Sequence, residues 1–196
     1  MTHPIIGDYT PAPIDLGECL RYMGAKGEDE RTLSLLEECL REAEGAFSYR
    51  ALLYELPSFV DGDGIRLGTV EVKSRNLAKL LTPCNTAFLL CATVGLGIDR
   101  LIARYSAVSP AKALCFQAIG AERIEALCDA VQDALKAEWE TTPRYSPGYG
   151  DLPLDFQREI FRITNCTKHL GMTLNTSLLM SPTKSVTAVM GAKKRR

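Results

Sequence analysis

A chain of 196 residues, 46% of them apolar and 24% charged, is long enough to build a core without disulfide or metal staples; a domain of this size buries roughly 70% of the surface its unfolded form exposes. The net charge of −1 argues against a general nucleic-acid binder, and the basic KKRR at 193–196 reads as a solvated tail. No charged start precedes an apolar segment of signal-peptide type and no run of about eighteen apolar residues occurs, so a soluble cytoplasmic protein is expected.

PAPID at 11–15 opens a short helix, with Asp15 as N-cap and Leu16, Cys19, Leu20 and Met23 on one face. A second helix is expected over 28–44, with Leu33, Leu36, Leu40 and Ala43 in register and Gly45 as its stop. Tyr49–Leu56 then reads as a strand, DGDG at 61–64 as a turn, and IRLGTVEV as a second alternating strand. Ser74 can cap a helix carrying Leu77, Leu80 and Leu81, and AFLLCATVG at 87–95 is a continuous apolar run of buried-strand type.

The longest helical signal lies between 109 and 140. Ser109 is its N-cap, Pro110 its first position, and Ile124, Leu127, Val131 and Leu135 its apolar stripe; Gly120 is a point where it can divide into two. After PRYSPGYGDLP at 143–153, Asp151 and Pro153 suggest the start of a helix carrying Leu154, Phe156, Ile160, Phe161 and Ile163. GMTLNTSLLM at 171–180 and SVTAVMG at 185–191 read as a C-terminal hairpin around an SPTK turn. Helices and strands mix without regular βαβ alternation, which predicts a single α+β domain with a mostly antiparallel, twisted sheet flanked by helices.

The chemistry-bearing residues are few. The seven cysteines lie in apolar patterns with no C-x-x-C pair, as reduced core residues do, and with only His3 and His169 a histidine-rich metal site is not expected. Gly95 and Gly97 follow a strand, but Arg100 stands where a dinucleotide loop needs its third glycine, so an ordinary strand-to-helix turn is the better reading. Asp61 and Asp63 lack the rest of a calcium loop.

The loop at 143–153 is different. Pro147 and Gly148 form a turn that lets backbone approach a ligand, Arg144 offers a planar fork for carboxylate or phosphate, and Tyr149 offers a flat ring with one polar end. A surface turn joining two helices would also account for its composition.

RYSPGYGDLPLDFQREIF, followed by LGMTLNTSLLMSPTKSVTAVMG, resembles the activation domain of cobalamin-dependent methionine synthase. The family loop R-x-x-x-G-Y is present as Arg144 to Tyr149, and the family segment L-T-E-S-x-x-M-x-P-x-x-S-V corresponds to Leu174–Val186, with Met180, Pro182, Ser185 and Val186 in place. The resemblance is carried by about the last 50 residues, and the length is that of a free-standing version of the domain. It implies an α+β fold that binds S-adenosylmethionine (SAM) in a shallow site and serves repair. When the cobalt of methionine synthase has oxidised to cob(II)alamin, an electron donor such as flavodoxin reduces it, and methyl transfer from SAM traps the reduced state.

By this resemblance Arg144 binds the SAM carboxylate, the backbone of Ser146 contacts the ligand, and Tyr149 takes the catalytic position near the upper corrin face, while Met190 and Gly191 lie near the adenosine. The family glutamate is replaced by Thr176, and the position of a family aspartate near the SAM amino group falls on Gly24, with Asp15 close by in sequence. The expected function is therefore a SAM-binding activation subunit for a separate cobalamin-dependent methionine synthase, with the cobalamin supplied by that partner. The alternatives are a docking or reactivation module for another corrinoid protein that does not use SAM, and an enzyme acting alone on another substrate.

Overall fold

A computed structural model describes residues 4–25 and 29–195. Every strand pairing in it is antiparallel. The central strand β5 (Thr86–Thr93) is apolar on both faces because both are covered, as its unbroken hydrophobic run predicts. It pairs on one side with β2 (Arg50–Asp61) and on the other with β9 (Ser185–Lys194). The sheet extends outward through β3 (Gly64–Leu67) and β4 (Val70–Lys73) at one end and β6 (Trp139–Thr141) at the other, with β1 (Ile5–Gly7) on β2.

One face of the sheet is covered by α1 (Leu16–Met23), α2 (Glu30–Glu42), α4 (Gly97–Tyr105) and α5 (Pro110–Leu135), around Phe88, Phe116, Ile119 and Leu127. The other face carries α3 (Arg75–Leu81), α6 (Phe156–Thr164) and α7 (Cys166–Leu170), around Leu52, Leu77, Leu89 and Ile160. The expected α+β class with a mostly antiparallel sheet is the observed one. Asp15 and Ser74 cap α1 and α3 through their side chains, as their positions predict. Helix α2 is capped by Asp29, and Glu28, the first residue expected in it, lies outside the described residues.

Four expectations are corrected. IRLGTVEV is two strands, because Gly68 turns the chain with φ +59° between β3 and β4. Helix α5 runs unbroken through Gly120, where a Cβ would lie 2.9 Å from Lys184 Cγ and 3.2 Å from Ile98 Cγ1; the glycine makes room for a crossing side chain. Asp151 does not start α6, which begins five residues later at Phe156, but reaches back across the chain to α3. Finally, residues 171–191 do not form a hairpin. The first part makes only the small β7 (Thr173–Leu174) with β8 (Met180–Ser181), whereas β9 enters the main sheet between β5 and β6. Both faces of the SVTAVMG segment are largely buried, which a position inside the main sheet provides and which the exposed, polar NTS segment does not share.

The GLG turn at 95–97 has a packing explanation. A Cβ on Gly97 would sit 2.0 Å from the carbonyl oxygen of Ala46, so the glycine lets α4 start against the connection between α2 and β2. No helix among the described residues is long and apolar enough to cross a membrane.

Candidate functional site

Strand β9 is covered unevenly on its outer edge. Strand β6 pairs with Ala192–Lys194, and an isolated bridge joins Tyr145 to Val189 through two 2.9 Å hydrogen bonds. Beyond it, Ser185, Val186 and Thr187 line an open cleft of about 840 Å³, within the range of small-molecule sites. Helix α5 supplies one wall through Glu125, Asp129 and Gln132, and α6 with the loop before it supplies the other through Leu154 and Gln157. The bend at 143–149 closes one end and Leu178, Leu179 and Met180 another.

The 143–153 loop is held from three sides. The Tyr145 bridge ties its start to β9. Internal bonds from Gly148 N to Leu152 O and from Leu152 N to Tyr149 O close its turn. The Asp151 carboxylate accepts from Ser74 Oγ at 2.5 Å and from the backbone N–H groups of Arg75 at 2.8 Å and Asn76 at 3.3 Å, at the N-terminus of α3. Those donors, the Ser74 hydroxyl foremost, hold the Asp151 carboxyl below the usual carboxylate range. A rigid loop of this kind presents side chains at little ordering cost.

Arg144, Ser146 and Tyr149 all line the cleft. Arg144 Nη1 donates to Asp129 Oδ1 at 2.7 Å and to Gln132 Oε1 at 3.1 Å, and Nη2 donates to Glu125 Oε2 at 3.1 Å. Burial alone would depress its pKa, but the hydrogen bond to Asp129 and the neighbouring negative charges outweigh burial and raise it. The Arg144 side chain is 18% exposed, whereas Glu125 and Asp129 are 49% and 67% exposed, so the two carboxylates stay hydrated and open to a ligand. Burial, with a smaller contribution from the Glu125 and Asp129 charges, pushes the Cys128 thiol up to about 12 despite the nearby Arg144, so it stays protonated. The Tyr149 ring stands 67% exposed at the rim, near Leu154 and Leu179.

Met190 and Gly191 are not brought to the cleft. Met190 is fully buried under the α5 face. Gly191 packs beneath Cys84, Thr142 and Leu81, and its N–H donates to Thr142 Oγ1. Gly191 lies about 13 Å along β9 from Thr187, four residues at strand rise, so register carries both residues away from the open edge. The substituted Thr176 is exposed and accepts from Arg158 through its carbonyl.

The residues missed by sequence reasoning are polar positions on helices. Glu125, Asp129 and Gln132 recur at four and three residues along α5 and so share a face, a spacing that was legible beside the apolar stripe. Gln157 had no such signal. Asp15, unassigned from sequence, lies in a second depression also lined by Glu125 and Asp129, where its backbone N–H donates to Glu122 Oε1.

A family model described as the vitamin B12 dependent methionine synthase activation domain matches residues 85–196, just over half of the 196 residues and the part that contains β5, α5, the loop and β9. Among solved structures, a crystal structure of the MetH reactivation domain bound to AdoHcy shares the fold with a TM-score of 0.68 at 15% identity, covering 97% of this chain and 78% of that chain. No curated protein matches the sequence.

Proposed function

Because this chain belongs to the vitamin B12 dependent methionine synthase activation domain family, we propose that all of its residues form one such domain and that it binds SAM in the β9-edge cleft to support reductive methylation of the cobalamin of a methionine synthase. The observation that carries this reading is the Arg144 fork set between two hydrated carboxylates on α5. The amino-acid end of SAM bears a carboxylate and an ammonium on one carbon. Arg144 suits the first as a two-pronged donor, and Glu125 and Asp129 suit the second as acceptors. The AdoHcy bound to the related reactivation domain supports a ligand of the same chemical class here.

Bound SAM would supply an activated methyl group to the partner's corrinoid once a donor such as flavodoxin had given it one electron, leaving S-adenosylhomocysteine behind. Neither needs a general base from this chain. What the chain contributes is position: Arg144 and the α5 carboxylates hold the amino-acid end, and Ser146 lines the same cleft beside them. Tyr149, exposed at the mouth, is the residue of this chain that would face the docked cofactor. Alignment of this sort can lower a barrier by roughly 7–11 kcal/mol in favourable cases. Met190 and Gly191 have at most an indirect part, through the β9 backbone.

The test is transfer of labelled methyl from SAM to a cobalamin-loaded methionine synthase module under reducing conditions. Transfer that depends on this protein is expected. If the protein binds the module yet transfer never exceeds the protein-free rate, the docking-module alternative replaces this reading.

A further inference from the structure

Gln157 stands in the first turn of α6, is 4% exposed, and forms part of the cleft wall. Its side-chain oxygen is shielded from solvent and has no hydrogen-bond partner. Buried amide oxygens in folded proteins are almost always paired, because leaving one bare costs its full desolvation. The only other buried side-chain atom in this condition among the described residues, Ser58 Oγ, does not line the cleft. An orphaned acceptor on a residue that lines a cleft is a place where a bound ligand can complete the hydrogen bonding.

The position of Gln157 says which part of the ligand that is. Arg144 and the carboxylates lie on the α5 wall, over one face of the sheet, and Gln157 lies on the α6 wall, over the other. A molecule anchored by its amino-acid end at Arg144 would reach Gln157 by extending across the cleft that both residues line. There the apolar side chains of Leu154, Leu178 and Met180 offer surface for a flat ring. A carboxamide presents an acceptor and a donor side by side, and rotation about its terminal torsion exchanges them without moving the helix. That pair matches adenine, whose amino group donates beside a ring nitrogen that accepts; a glutamine carboxamide makes this two-bond contact with adenine in other settings.

We propose that the Gln157 carboxamide is the base-reading group of this site, accepting from the adenine amino group and donating to ring nitrogen N7, the edge on which an inosyl base presents two acceptors. The inference rests on the SAM reading above and adds a specificity-determining residue to it. The chain then recognises its ligand at two ends, charge at α5 and base identity at α6.

The experiment is a calorimetric cycle. Wild type and Gln157→Met are each titrated with S-adenosylhomocysteine and with S-inosylhomocysteine, in which an oxo group replaces the amino group. Wild type should bind the inosyl compound about tenfold more weakly, the order expected for losing neutral hydrogen bonds and opposing two acceptors. Gln157→Met should bind the adenosyl compound about tenfold more weakly than wild type and distinguish the two ligands less than twofold. The ligand-free variant should melt no lower than wild type, since the substitution removes an unsatisfied buried atom. If Gln157→Met cannot be purified folded, Gln157→Glu, which keeps the shape but lacks the N–H, should show the same loss of adenosyl affinity. Undiminished discrimination in a folded variant, or unchanged adenosyl affinity, overturns the assignment and leaves SAM binding intact. Absence of any binding to wild type overturns both the assignment and the SAM reading.

Discussion

Arg144→Ala should separate ligand binding from folding. The guanidinium holds two carboxylates and one amide at 2.7–3.1 Å, but those carboxylates are 49% and 67% exposed and return to water when the arginine is removed. Pairs with exposed partners contribute about 0–1 kcal/mol each, so the stability loss should be about 1 kcal/mol. A ligand carboxylate on the fork is different. Charge-assisted hydrogen bonds are worth about 1.5–3 kcal/mol, which converts to roughly 10- to 150-fold in Kd. Calorimetric titration with SAM and urea unfolding of the same preparation give both numbers. Arg144→Lys, which keeps the charge and loses the planar fork, should fall between wild type and alanine. A folded Arg144→Ala protein that binds SAM within twofold of wild type would refute the placement of the carboxylate at this residue.

Three further outcomes are expected. Gly97→Ala, which drives a Cβ to 2.0 Å from the Ala46 carbonyl oxygen, should destabilise the protein by about 3 kcal/mol in urea unfolding, although a nucleotide-loop reading of GLG predicts lost ligand binding instead. Asp151 has a folded pKa held down by Ser74 and the α3 N–H groups, so its contribution is present above roughly pH 4 and is lost as pH falls through the folded value. The difference in melting temperature between wild type and Asp151→Asn should therefore be greatest near neutrality and shrink in acid. All seven cysteines are free and only Cys84 is not fully enclosed, with its pKa raised by burial, so a thiol reagent should modify at most Cys84 slowly in the native protein and the others only on unfolding; a second fast-reacting thiol would contradict the packing.

The sequence by itself determined the features that act over a few residues. Asp15 and Ser74 cap their helices because a short oxygen-bearing side chain finds the N–H groups two or three positions ahead in any context. The continuous apolar run at 87–95 had to be a covered strand, and the Pro and Gly residues around Arg144 had to make a turn. Those signals, with the resemblance they carried, were enough for the fold class and the family, and they pointed to the loop whose Arg144, Ser146 and Tyr149 line the cleft. The partners of those residues lay beyond their reach. SVTAVMG looked like half of a hairpin because pattern shows that a strand needs burial and not where it obtains it; its place between β5 and β6 comes from a vacancy that only the assembled sheet defines. Asp151 looked like a local helix start and instead satisfies α3 across 75–77 residues of chain. Met190 and Gly191 were expected near the adenosine by resemblance, and only the assembled sheet shows that neither lines the cleft. The orphaned oxygen of Gln157 has no local signature, because whether a polar atom is unsatisfied depends on everything packed around it. Local preference is a property of neighbouring residues, while pairing, register and hydrogen-bond deficit belong to the folded whole.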